Sequence, residues 1–127
     1  MLFVNFSNHP SEKWSQSQRA AALEYGEIQD VSFPDVSPEL DEVAIDRLGR
    51  EYAEKILEKK PDAVMCQGEY TLSFNVAVRL MQAGVRVLCA CSERCTIEIA
   101  NERDNMRESL FTFVRFRDYL PKGGLQG

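Results

Sequence analysis

Histidine is nearly missing from this chain. Among 127 residues there is one, His9, set between Asn8 and Pro10 in the stretch NFSNHPSEKW. A single imidazole without a carboxylate cluster does not make a catalytic metal centre. The four cysteines contain no C-x-x-C pair, so a structural zinc site is not expected either. No G-x-G-x-x-G follows the first apolar run and no G-x-x-x-x-G-K-[ST] occurs, which excludes the dinucleotide fingerprint and the phosphate-binding P-loop. No G-x-S-x-G nucleophile elbow is present. No window approaches the ~18 apolar residues of a membrane span, and no basic segment precedes the first apolar run, so no secretory signal and no membrane partner are expected. Basic charge is short as well: 15 Lys and Arg stand against 20 Asp and Glu, a net charge of −5. That balance argues against long nucleic acid as a partner, because such binding draws its affinity from neutralising phosphates. A small anion held by a few local donors stays possible.

What is present fits one domain over residues 1–120 with a flexible tail at 121–127, a usual domain size. Apolar and polar stretches alternate. Leu2–Phe6 reads as a first strand. Ser11 or Ser15 caps a helix running to Tyr25, which Gly26 stops. Ile28–Phe33 reads as a second strand. Ser37 as cap and Pro38 in the first turn open a helix to Lys60, with Leu40, Val43, Ala44, Leu48, Ile56 and Leu57 along one side. DAVMCQG (62–68), a helix over 70–84 and VRVLCACS (85–92) follow. RCTIEIA and SLFTFVRFRDY then read as an antiparallel hairpin around the polar loop NERDNMRE, with Arg115 and Arg117 sharing a face with Phe111 and Phe113. Strand–helix–strand repetition predicts an α/β fold of Rossmann-like type: a mainly parallel sheet of four strands flanked by helices, with a C-terminal antiparallel β-hairpin. Cys66, Cys89, Cys91 and Cys95 lie in strand-like segments and read as reduced thiols of a cytoplasmic protein.

In open parallel sheets ligands gather at the carboxyl ends of the strands. Three polar loops leave such ends here. In SNHPS, His9 can donate a hydrogen bond or move a proton near neutral pH, and Ser7, Asn8 and Ser11 add short donors. A plain loop histidine is an equal reading. In QGEYT, Gly68 permits close approach of a ligand. Glu69 is a candidate site residue or simply a helix cap, and Tyr70 and Thr71 can contact a base or sugar or merely pack. In SERC, Ser92, Glu93 and Arg94 end a buried strand, where Arg94 suits a phosphate or a bridge to a neighbouring glutamate.

The pattern NFSNHPS…W…Q at the first strand exit, with QGEYT and CSER after later strands, resembles the small Rossmann-like CRISPR-associated proteins of type III systems that bind cyclic oligoadenylate, some of them ring nucleases. The likeness covers Asn5–Gln18, Gly68–Thr71 and Ser92–Arg94. It implies a homodimer with the ring, most simply cyclic tetra-adenylate, across the two-fold axis. It also implies cleavage without metal or other cofactor, by attack of a 2′-hydroxyl on its adjacent phosphate. His9 would transfer the proton and Arg94 would stabilise the charge, both in catalytic roles. Ser7, Asn8, Ser11, Gly68, Glu69, Tyr70, Thr71, Ser92 and Glu93 would form the ligand cradle. Three other readings compete: a sponge that binds the ring uncut, a nucleoside-processing glycosidase with Glu69 as nucleophile, and a partner-binding domain whose polar loops are only loops.

Overall fold

A computed structural model of the chain describes residues 1–100 and 105–127, and of 95–100 and 105–110 it describes the backbone. The elements follow as β1 (Leu2–Ser7), α1 (Gln16–Leu23), β2 (Glu27–Ser32), α2 (Glu42–Glu58), β3 (Ala63–Gln67), α3 (Tyr70–Gln82), β4 (Arg86–Ala100) and β5 (Asn105–Asp118). A single 3-10 turn, Ser11–Lys13, precedes α1. The strands form one sheet in the order β2-β1-β3-β4-β5. The pairings of β1 with β2, β1 with β3 and β3 with β4 are parallel, while β5 returns antiparallel to β4. The result is a mixed α/β fold, mostly parallel, with three α-helices and a C-terminal antiparallel hairpin. No helix among the described residues is long and apolar enough to cross a membrane.

Central β1 is apolar on both sides, as a strand covered on two faces must be: Phe3, Val4 and Phe6 are fully buried. Val4 and Phe6 join Val64, Val76 and Leu80 under α2 and α3. Phe3 joins Met65, Leu88 and Phe116 on the other face, with Trp14 and Tyr25 packed against them. That second face carries α1 alone, a helix of 8 residues, so part of the sheet beside it stays open.

Helices α2 and α3 meet where Gly49 faces Asn75. A Cβ on Gly49 would fall on the Asn75 side-chain amide. That amide donates to Asp46 Oδ1 at 3.0 Å and accepts from Arg79 Nε at 2.7 Å, and Arg79 also reaches Asp46 at 2.6 Å. The Asn75 bond, with Arg79 next to it, holds the Asp46 carboxyl below the usual aspartate range.

Several boundaries differ from the sequence reading. Helix α1 starts after Ser15, whose hydroxyl accepts from the Gln18 N–H. Helix α2 starts four residues beyond Pro38, because Asp41, whose carboxylate takes the Ala44 N–H at 2.9 Å, is its cap; Ser37 closes only a turn with Glu39 and Leu40. The separate fourth strand and hairpin arm are one continuous strand, β4, of 15 residues. The expected polar loop falls partly on 101–104, outside the described residues, and its second half belongs to β5.

The arginine register is also corrected. Cys91 pairs with Arg115, and the next pair is Ser92 with Phe113. Val114 is therefore an extra residue, a β-bulge that switches the faces of β5. Phe113 and Phe111 consequently lie on the same side as Phe116, while Arg115 and Arg117 lie opposite Cys91 and Cys89 on the other side.

Gly49→Ala is expected to displace Asn75 and lower stability by roughly 1–3 kcal/mol, the usual cost of overpacking. Urea unfolding of wild type and variant measures the loss.

Candidate functional site

The strand order places the topological switch between β1 and β3, because the chain leaves β1 toward β2 on one side and returns to β3 on the other. Ser7 and Gln67 are register partners there. Just beyond them opens a hollow of about 640 Å³. Its walls are His9, Pro10, Lys13 and Trp14 from the β1 exit, Ser15 and Gln18 from the start of α1, and Ser92, Phe111 and Phe113 from the hairpin. Met65, Gln67 and Ala90 line it from the sheet.

The loop carrying His9 is fixed by a buried polar residue. Asn5, 1% exposed in the middle of β1, donates to the His9 carbonyl at 2.9 Å and to Asp30 Oδ1 at 3.1 Å. Its own carbonyl oxygen accepts from the Ser7 hydroxyl at 2.6 Å. The His9 N–H donates to Ser7 Oγ at 3.1 Å, and the Trp14 indole N–H donates to the His9 carbonyl at 3.1 Å. Asp30 Oδ2 accepts from the Ser11 N–H at 3.0 Å, and Arg19 clamps the Ser11 carbonyl. A buried amide needs such partners, and satisfying them holds the chain from Ser7 to Trp14 in one path.

At the other wall β4 parts from β3 after Leu88. The Gln67 side chain spans the gap, its Oε1 accepting from the Ala90 N–H at 2.9 Å. The bulge then brings Phe111 and Phe113 round to the α1 side. The Arg94 guanidinium lies 6.0 Å from the Phe111 ring centre, within reach of a cation–π attraction.

The sequence candidates divide into three groups. His9 and Ser92 line the hollow; Arg94 does not line it, but its guanidinium faces Phe111, which does. Glu93 pairs with Thr112, one position out of phase with those residues along β4. Ser7 and Asn8 line a smaller recess of about 140 Å³ with Asp30, and Ser11 is tied to Asp30. Gly68, Glu69, Tyr70 and Thr71 stand at the start of α3, and none of them lines the His9 hollow. A Cβ on Gly68 would meet the Phe33 ring at 2.6 Å, so packing accounts for this glycine. Both Glu69 carboxylate oxygens cap α3, accepting from the Leu72 and Thr71 N–H groups and the Thr71 hydroxyl at 2.8–3.0 Å. The Leu72 N–H foremost, with the Thr71 donors, holds the Glu69 carboxyl below the usual glutamate range. Tyr70 is 90% exposed.

Lys13, Gln67, Phe111 and Phe113 complete the hollow and were not among the candidates. Trp14 and Gln18 belong to the NFSNHPS…W…Q pattern, Trp14 in extended backbone just before the Ser15 cap and Gln18 in the first turn of α1. Among the described residues no three His, Cys, Asp or Glu side chains gather as metal ligands. On the opposite side of β4, burial, then the neighbouring Cys91, pushes the Cys89 thiol up. Burial pushes Cys66 up to about 12. Both therefore stay protonated at neutral pH, which is packing chemistry.

Fold and site together define an α/β protein with a hollow at the carboxyl ends of its parallel strands. A family model described as the uncharacterized protein MJ1673 family matches residues 1–117, and the chain belongs to that family. No curated protein matches it.

Gly68→Ala is expected to cost roughly 1–3 kcal/mol through the clash with Phe33, measured by urea unfolding. Glu69→Ala is expected to cost about 0.5–2 kcal/mol as a lost helix cap. The cap acts through the charged carboxylate, and its folded pKa is depressed. Its contribution is thus present above the ordinary glutamate range and fades as pH falls through the folded value. The gap between wild type and variant should narrow in acid.

Proposed function

We propose that this protein is a Rossmann-like, cytoplasmic receptor for cyclic oligoadenylate. It holds cyclic tetra-adenylate across the two-fold axis of a homodimer and opens the ring without metal, switching off type III CRISPR signalling. The observation that carries the reading is the hollow at the β1, β3 and β4 exits. It joins His9, Lys13 and Ser92 with the aromatic side chains of Trp14, Phe111 and Phe113, and the Arg94 guanidinium lies over Phe111. Bases stack on such rings, and cationic or protic groups beside them suit a phosphodiester. About 640 Å³ lies within the roughly 300–1,000 Å³ range of small-ligand sites. One such hollow takes part of a four-nucleotide ring, and a second copy related by two-fold symmetry takes the matching half.

The chemistry asks little of the protein beyond orientation and charge. His9 takes the proton from a 2′-hydroxyl, whose oxygen attacks the adjacent phosphorus in line. The P–O5′ bond breaks, the leaving 5′-oxygen is protonated, and a 2′,3′-cyclic phosphate remains. Arg94 stabilises the charge on the phosphoryl oxygens.

A second reading, a sponge that binds the ring uncut, draws support from the His9 hydrogen bonds. They fall on its main chain, so they fix the loop rather than the imidazole. The glycosidase reading finds no such support, since Glu69 is engaged in capping α3.

Incubation with labelled cyclic tetra-adenylate in EDTA is expected to give linear product. His9→Ala should slow that cleavage by ~10²–10⁴, the range of a lost general base, while leaving binding largely intact. Unchanged turnover removes His9 from the mechanism. Ring that co-elutes intact with the wild type establishes the sponge, and no shift in melting temperature with the ring returns the protein to the partner-binding class.

A further inference from the structure

Gln67 does two things at once. A backbone N–H can only donate, so the side-chain atom facing the Ala90 N–H must be the carbonyl oxygen. This fixes the orientation of an amide that in most settings could flip. The Gln67 NH₂ is left as a donor with no partner among the described residues, on a side chain that lines the hollow. Gln18 lines it too. Its NH₂ rests on the Met65 sulfur at 3.9 Å, a weak acceptor, and its carbonyl oxygen is available. Gln67 follows Met65 by two residues along the same face of β3. The hollow thus offers one fixed donor and one acceptor beside the rings of Trp14 and Phe113.

Resting on the reading above, we infer that Gln67 and Gln18 select adenine. Gln67 Nε2 donates to adenine N1, and the adenine 6-amino group donates to Gln18 Oε1, with the base against the aromatic wall. Carboxamides read adenine by this donor–acceptor logic in other contexts. Hypoxanthine has the opposite pattern, a donor at N1 and an acceptor at O6. It would set the fixed Gln67 donor against an N–H, and a mismatched polar pair in a site costs about tenfold or more in affinity.

The test compares cyclic tetra-adenylate with cyclic tetra-inosinate by calorimetric titration. The two rings carry identical phosphates and riboses, so a difference reports the base. Wild type should bind the adenylate ring at least about tenfold more tightly. In Gln67→Glu one carboxylate oxygen still accepts from the Ala90 N–H, so melting should stay near wild type, while the donor becomes an acceptor. The preference should then vanish or reverse toward the inosinate ring. Equal wild-type affinities overturn this assignment and leave ring binding standing. A preference that survives Gln67→Glu overturns the role of Gln67. Binding of neither ring overturns the assignment together with the proposed function. The wild-type comparison decides alone if the variant does not fold.

Discussion

The parting of β3 and β4 after Leu88 is the constraint on which the rest of this structure turns. A parallel pair that separates strands backbone donors and acceptors, and buried ones must find other partners. β5 supplies a ladder on the outer side of β4, and the Gln67 side chain supplies the first partner on the inner side, at Ala90. With that gap bridged by one amide rather than closed by a ladder, the sheet opens at its carboxyl end. The hollow occupies the opening, over Met65 and Ala90.

A second, smaller constraint sets the opposite wall. An asparagine in the centre of a buried strand is a liability unless each of its polar groups is met, because the low local dielectric raises the cost of an unpaired one. Asn5 meets this by recruiting Ser7, Asp30 and the His9 carbonyl. The loop beyond β1 follows its path for that reason, and the indole of Trp14 is aligned by the same carbonyl. The two walls are thus set by amides of β1 and β3, neighbouring strands on either side of the switch point. The bulge at Val114 completes the sorting. It sends the aromatic residues of β5 to the α1 side and leaves Arg115 and Arg117 opposite Cys91 and Cys89.

Helices and strands were legible where the chain punctuates them. Gly26, Pro61 and Gly84 each fall within three residues after a helix. Boundaries slipped where two signals competed: Ser37-Pro38 has the form of a helix start, yet Asp41 caps the helix. Ser92–Arg94 reads as a break because polar residues interrupt an apolar run. In the structure the strand continues, since a two-stranded ribbon leaves surface on which polar side chains are solvated. The hollow was legible as a set of polar strand exits, and the places of His9 and Ser92 in its lining follow from that rule. What one dimension cannot convey is the face of the sheet on which each exit opens. Gly68 has the form of a ligand-approach glycine, and its true neighbour is Phe33, 35 positions earlier in the chain and brought to it only by the β2–β1–β3 order. Gln67 was overlooked for a related reason: its role exists only because β4 departs from β3.

An acidic chain proposed to take a polyanion poses an electrostatic question, and its answer lies in distance. Exposed charges more than about 8–10 Å away are largely screened at physiological salt, so a net charge of −5 spread over the surface acts weakly at the hollow. What counts is the near field. There His9 and Lys13 line the cavity, and Arg94 lies over Phe111, one of its lining rings. The nearest structural carboxylate in the β1 network, Asp30, is already engaged by Asn5 and the Ser11 N–H. Glu69 and Asp46 are committed to α3 and to the α2–α3 seam. The aromatic wall adds attraction that carries no charge, since bases stack on indole and phenyl rings whatever the sign of the surroundings. Discrimination then falls to neutral amides rather than to charge. A carboxamide fixed by the backbone distinguishes donor from acceptor without adding to the repulsion, which is what the proposed choice of one anionic ring would ask of a small acidic protein.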